Sequence, residues 1–332
     1  MGPKKIFKYS QLAAEKRTAS HSSRSIVTSA LLLAAAGAAA ATGTWNGGTT
    51  GNWSTSSTGF TGVTGTPWDS TNGTGNIASF GTANATITAG TVYANGLIFT
   101  QVTTLTGGTI TLGGTSPTLK SNSSNAITIN SVLAGSALIT SNGTGSGAIT
   151  LGGTNTFSGG LTISSGTIRV ANTSALGSGT VTVSGGALSS SSTTAYSFTN
   201  ALSLSGNATL GDVTNTGKLT FSGATTLASN TTLTNASAVT LSGAVGGSYS
   251  LSKAGAGVLA LTAANTYSGG TSISAGTVQV GNASALGSGT VTMSGGALTS
   301  ASTTAYSLTN ALSLGGSVTL GDVTNTGKLT FS

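Results

Sequence analysis

Much of the chain alternates apolar and polar residues in short bursts. Leu161-Thr162-Ile163, Ile168-Arg169-Val170, Val181-Thr182-Val183, Leu202-Ser203-Leu204, Leu219-Thr220-Phe221 and Val239-Thr240-Leu241 each put apolar side chains on one face and a polar one on the other. A period of two predicts half-buried strands, and Thr, Val and Ile suit a pleated surface. Ser-Gly, Gly-Gly and Asn-Gly turn signals separate the bursts at spacings too short for a helix in this region. With 3 Pro in 332 residues, backbone N–H groups stay available for pairing along the chain.

Above this texture lies a long internal repeat. Residues 151–222 align without a gap to 261–332, with 54 of 72 positions identical. Asn155-Thr156-Phe157-Ser158-Gly159-Gly160 returns as Asn265-Thr266-Tyr267-Ser268-Gly269-Gly270, and Thr209 to Ser222 returns unchanged as Thr319 to Ser332. A sandwich or a closed barrel has a finite strand count, and a near-duplicate of this length would leave it with unpaired edges. A parallel β-solenoid grows by whole coils. The expected fold is therefore all-β, a solenoid of short strands. At about 22 residues per coil the duplicated unit is about five coils and residues 44–332 about thirteen, a rod of about 60 Å. Gly, Ser and Asn suit its corners, and the regular apolar positions argue against a disordered Gly/Ser/Thr-rich stalk. In this register Leu219→Asp should damage folding more than Thr220→Asp, because Leu219 points inward.

Charge then sets the chain's address. The formal net charge is +7, but Lys4, Lys5, Lys8, Lys16, Arg17 and Arg24 crowd the segment before Ile26 against Glu15 alone. Elsewhere Lys120, Arg169, Lys218, Lys253 and Lys328 face Asp69, Asp212 and Asp322, too sparse for a phosphate-binding stripe, so no nucleic-acid partner is expected. The basic leader runs into Ile26-Val27-Thr28-Ser29-Ala30-Leu31-Leu32-Leu33 and an Ala run ending at Ala41. That is the layout of a secretory signal peptide, with cleavage near Ala40 or Ala41, and it is short for a membrane-spanning helix. The expected organisation is a signal peptide over 1–41, capping and first coils over 42–150, a first long repeat over 151–260 and a second over 261–332. The absence of Cys fits an exported chain without disulfides.

The block from Asn265 through Asn282, leading into Ala285-Leu286-Gly287-Ser288-Gly289-Thr290-Val291-Thr292, resembles the autotransporter-associated β-strand repeat of bacterial passenger domains. The copy at 155–182 matches it with departures that include Leu161, Arg169 and Thr173, and Thr44-Trp45-Asn46-Gly47-Gly48 resembles the start of many such proteins. The resemblance implies a right-handed β-helix, secreted or displayed at the cell surface or outer membrane, whose repeats assist passenger folding and transport. It implies secretion machinery as a partner, surface glycans or other cells as ligands of an adhesin-like stalk, and a C-terminal translocator or anchor; no barrel-type strands precede Ser332, so the expectation is either a fragment of a longer protein or an anchoring part that lies elsewhere.

Catalytic chemistry finds little to work with. Acids number 4 and His numbers 1, with His21 inside the leader. Asp212 and Asp322 are repeat equivalents about 24 Å apart at five coils, too far for a carboxylate pair. No triad, cofactor or enzyme is expected. Asp212-Val213-Thr214-Asn215-Thr216-Gly217 offers a calcium loop one acid, so an Asp-capped turn is the better reading. Thr triplets such as Thr86-Ile87-Thr88 and Thr109-Ile110-Thr111 recur too irregularly for an ice-binding face, and read as strand alternation. Trp45, Trp53 and Trp68 are the candidate ligand-stacking residues, with a layer closing the solenoid's end as the stronger expectation.

Overall fold

The computed structural model describes residues 41–54, 59–61, 76–321, 324 and 326–332. The expected leader, including Ala40, and Trp68 and Asp69 lie outside the described residues, as do Asp322, Val323 and Asn325. The described residues, from Ala41 onward, form one compact unit.

This unit is a parallel β-solenoid of about 12 turns. Successive coils lay strand on strand in three ladders, which we number in the order the chain visits them. Ladder I starts with Thr42–Trp45 and Ile77–Phe80 and runs through Leu161–Ser165 and Val181–Val183 to Val245–Gly246. Ladder II starts with Thr50–Trp53 and Ala85–Ala89 and runs through Thr167–Val170, Ala187–Ser190 and Leu251–Ala254 to Leu312–Leu314. Ladder III contains Thr91–Ala94, Thr109–Leu112 and Val132–Ala134, then Tyr196–Phe198, Leu219–Phe221, Val239–Leu241 and onward to Thr319–Leu320. Among the described residues one pairing is antiparallel, Thr44↔Thr61 with Trp45↔Phe60 at the first coil.

The ladders hold because identical phases stack. Val181 lies on Leu161 and Leu202 on Val181, each with its hydroxyl-bearing neighbour in line: Thr162, Thr182, Ser203. The inward positions are fully buried, whereas the residues between them stay at least partly exposed. Leu219 is buried and Thr220 half-buried, which is the register the alternation assigns. Each buried Leu, Ile or Val contributes about 1.5–3 kcal/mol, spread so evenly that no coil dominates.

Coil length varies. Thr86 already meets its counterpart at Thr104, whereas Thr209 meets its own only at Thr234. The first coil, from Thr42 to Ile77, is longer still. Corners absorb the differences: Leu202–Leu210 turns from ladder I to ladder II without leaving strand geometry, its pairing register shifting between Leu204 and Gly206. At Gly160 and Gly270, φ is 94° and 87°, and a Cβ would stand 2.6 and 2.7 Å from the carbonyls of Thr180 and Thr290. Only Gly fits a corner that is both left-handed and pressed on the next coil.

Candidate functional site

The expected aromatic cluster is built from ladder ends. Trp45, Phe60, Trp53 and Phe80 meet edge-on or tilted at centroid distances of 5.2 to 5.8 Å, and Phe80 stacks on Phe99 at 5.2 Å. Trp45 and Trp53 are 2% and 0% exposed, so neither ring offers an open face to a sugar. Gly47, Gly51 and Gly59 wrap Trp45 so closely that a Cβ on any of them would enter its ring at 2.3 to 2.5 Å. The Trp45 indole N–H donates to the Gly48 carbonyl at 3.0 Å.

Asp212 caps its own loop. Its Oδ1 accepts from the Thr214 N–H at 2.8 Å and from the Asn215 N–H, and its Oδ2 from the Asn215 amide at 3.2 Å. Partial burial pushes this carboxyl up, but the Asn215 and Thr214 donors outweigh it and hold the group below the usual carboxylate range. Arg169 reaches Asp212 Oδ2 at 3.5 Å. The oxygens are thus committed to a turn, and among the described residues no three His, Cys, Asp or Glu gather as metal ligands.

Two features were not anticipated. The first is Lys253, which the alternation Leu251-Ser252-Lys253 places on the inward phase, a signal available in the sequence. It is fully buried, and its ammonium donates to the carbonyls of Ala254, Gly255 and Ala275 at 2.8, 2.6 and 3.2 Å. Burial pushes its pKa down to about 8. The second is the role of the repeated Asn. Asn155 Oδ1 accepts from the Leu133 N–H at 2.8 Å while its Nδ2 donates to the Ala175 carbonyl at 2.7 Å, joining three successive coils. Asn265 does the same between Val245 and Ala285. A shallow groove of about 450 Å³ near the second motif is lined by Ser, Thr and Gly, among them Ser250, Ser268, Gly269 and Thr290.

These corners coincide with matches to known proteins. The model of the passenger-associated-transport-repeat matches residues 144–170 and 251–280, and each match contains one of the Asn corners. The model thus matches the chain at two separate places. Over 102 residues it is also 41% identical to a protein named Adhesin BmaC autotransporter, from Brucella suis biovar 1 (strain 1330). That alignment covers 30% of the chain and 3% of the curated relative, so the chain spans a small part of that protein's length. No solved structure matches it significantly. Both matches agree with the passenger resemblance carried by Asn265 to Asn282. Within the two matched stretches the Asn, the Gly-Gly corner and the stacked aliphatics all serve coil-to-coil contact. Among the described residues no helix is long and apolar enough to cross a membrane.

Proposed function

We propose that this chain is a non-enzymatic, adhesin-like passenger segment, exported to the cell surface, whose repeats form a structural scaffold and support the folding and transport of the passenger. The observation that carries this reading is the placement of both passenger-repeat matches in one continuous set of ladders, where their side chains act between coils. Secretion machinery and a translocator supplied outside these ladders are the partners it requires, with surface glycans or other cells as the ligands. The segment 1–41 acts as the removable leader in this reading, cleaved near Ala40 or Ala41. Sugar stacking on Trp45 and Trp53 is not favoured, since both rings lie in the core.

The test fuses the full chain to a surface-display translocator barrel in a bacterium and follows proteinase K resistance of the displayed passenger. The parent is expected to reach the surface as a resistant species, and deletion of residues 251–280 to lower the displayed amount several-fold. Equal display and equal resistance of the two would overturn the transport-supporting role.

A further inference from the structure

Ten Asn-x-Ser/Thr triplets run through the sequence, the acceptor pattern for sugar attached to the Asn side-chain nitrogen. In a chain this rich in Ser and Thr such triplets arise readily, so their placement in the fold is what discriminates. Among the described residues five of them fall at one corner, between ladders I and II. Asn84 lies between Ile77–Phe80 and Ala85–Ala89, and Asn122 follows Thr118–Ser121. Asn207 and Asn230 lie where Leu202–Leu210 and Thr225–Thr234 bend from one ladder into the other. These four are exposed, and the fifth, Asn142, is half-buried.

What decides is whether the amide nitrogen is free. Along this edge it is. The Asn122 Oδ1 accepts from the Thr144 N–H and hydroxyl at 3.4 and 3.2 Å, and the Asn230 Oδ1 from the Ser250 N–H and hydroxyl, both at 3.1 Å. Each amide is anchored to the next coil by its oxygen, which leaves its nitrogen to solvent. Asn84 stands exposed at a φ of 56°, and neither it nor Asn207 commits its side chain to a hydrogen bond among the described residues. At the corner between ladders II and III the same triplet is used differently. Asn172 Nδ2 donates to the carbonyls of Gly152 and Gly153 at 2.8 and 3.0 Å, and Asn235 Nδ2 to those of Ser237 and Val258, both at 2.9 Å. A sugar on either nitrogen would displace those bonds, and Asn235 has no exposed surface on which one could stand.

We infer that the edge between ladders I and II carries Asn-linked hexose at Asn84, Asn122, Asn207 and Asn230. In the transfer, Nδ2 bonds to the anomeric carbon of a diphosphate-activated hexose, the bond from that carbon to the diphosphate oxygen breaks and the diphosphate leaves. The amide gives up one proton, and nothing is oxidised or reduced. The fold accepts sugar at these four and not at Asn172 or Asn235, whatever the order of transfer and folding, because a chain sugared at the second corner cannot close its coils. The chain beyond its leader holds few charges, so a sugared edge supplies the hydration that charge supplies on other surfaces. The inference stands apart from the adhesin-like reading.

Site mapping by mass spectrometry tests this on the full chain, recovered as the protease-resistant species from the cells that make it. Hexose is expected at the edge Asn and at neither Asn172 nor Asn235. Sugar at none of the four, or at Asn172 or Asn235 in the resistant species, would overturn the inference. A second arm needs no export: the purified, folded chain is treated with UDP-glucose and a soluble glycosyltransferase specific for Asn-x-Ser/Thr. Occupancy at Asn172 and Asn235 is expected to be lower than at the edge by at least about ten-fold, because transfer there must wait for a coil to open. Equal occupancy at the two corners sinks the proposal. Short peptides spanning residues 169–176 and 232–239 are expected to accept glucose, and peptides left unmodified would trace the protection to sequence, against the structural split. Thr86→Ala, which leaves Asn84 in place, is expected to abolish sugar at Asn84 alone, and its persistence there would contradict recognition of the triplet.

Discussion

The two copies of the long repeat differ at positions that change together. In the first copy Phe157 and Leu161 fill the core below the Gly-Gly corner, both buried. In the second the same places hold Tyr267 and Thr271, still buried, with the two hydroxyls 2.6 Å apart and Thr271 also donating to the Leu286 carbonyl. A second exchange lies on the strand below. Ser141 pairs with Ile163 in the first copy as Lys253 pairs with Ile273 in the second. In the first copy the Ser165 hydroxyl donates to the Gly143 carbonyl at 2.8 Å; in the second, Ala275 replaces that Ser, and the Lys253 ammonium donates to Gly255 instead. A buried polar group is tolerable only with its partner, so each substitution needed its companion. The backbone corner is the fixed quantity, and the side chains that satisfy it are interchangeable in pairs.

The corner Asn should be the most costly thing to remove from either copy. Asn155→Ala and Asn265→Ala each delete two hydrogen bonds and strand a buried N–H and a carbonyl, an expected loss of about 2–4 kcal/mol apiece in urea unfolding. Losses differing by more than about 1 kcal/mol would break the equivalence of the copies. Next comes the hydroxyl pair. Thr271→Leu leaves the Tyr267 hydroxyl buried and alone, at a cost of about 2 kcal/mol, and adding Tyr267→Phe should recover most of it, as in the first copy. Additive single effects in the double-mutant cycle would show that the two changes are unrelated.

Lys253 sharpens the comparison through pH. Its folded pKa of about 8 lies below the ordinary 10.5, so between these values the unfolded chain holds more protons and stability rises with pH. Tyr267 acts in the opposite sense higher up: burial raises its pKa above the ordinary 10.0, so the unfolded chain loses its proton first and stability falls beyond that point. The melting temperature should therefore climb from pH 7.5 to 9.5, and Lys253→Met should flatten the climb. A parent profile already flat over that range would contradict the buried ammonium. The smallest effect is expected at Arg169, which is Gln279 in the second copy. Its ion pair with Asp212 is 3.5 Å long and part-exposed on both sides, and Arg169→Gln should cost under about 0.5 kcal/mol.

Much of this fold is legible in the sequence, because alternation is a local signal that survives packing unchanged: Leu161, Ile163, Val181 and Leu219 all point where the period of two sends them. Parallel stacking follows from the long repeat. The offset between copies is not legible, because coils as unequal as Thr86 to Thr104 and Thr209 to Thr234 cannot be counted without seeing which corner residues belong to which turn. The expectation of about five coils per repeat falls short by one ladder, since Leu161 stands in ladder I and its copy Thr271 in ladder II, and about thirteen coils become about 12. Lys253 was hidden by its type: a lysine suggests solvent, although its phase in Leu251-Ser252-Lys253 says otherwise. Trp45 and Trp53 announce an aromatic cluster in the sequence, but only their packing against Phe60 and Phe80 shows it closed.

The short span between stacked strands also governs how the molecule can form in time. After the long first coil a strand finds its neighbour within a narrow span, from Thr86 to Thr104 at the short end and from Thr209 to Thr234 at the long end, so the length-dependent part of the loop entropy differs between these coils by only about 0.3 kcal/mol. No step waits for a distant segment, and each finished coil is the template for the next. Such a chain can zip up from one end while the remainder is still unfolded, which is what the proposed export across a membrane would call for, each added turn making backward slippage harder.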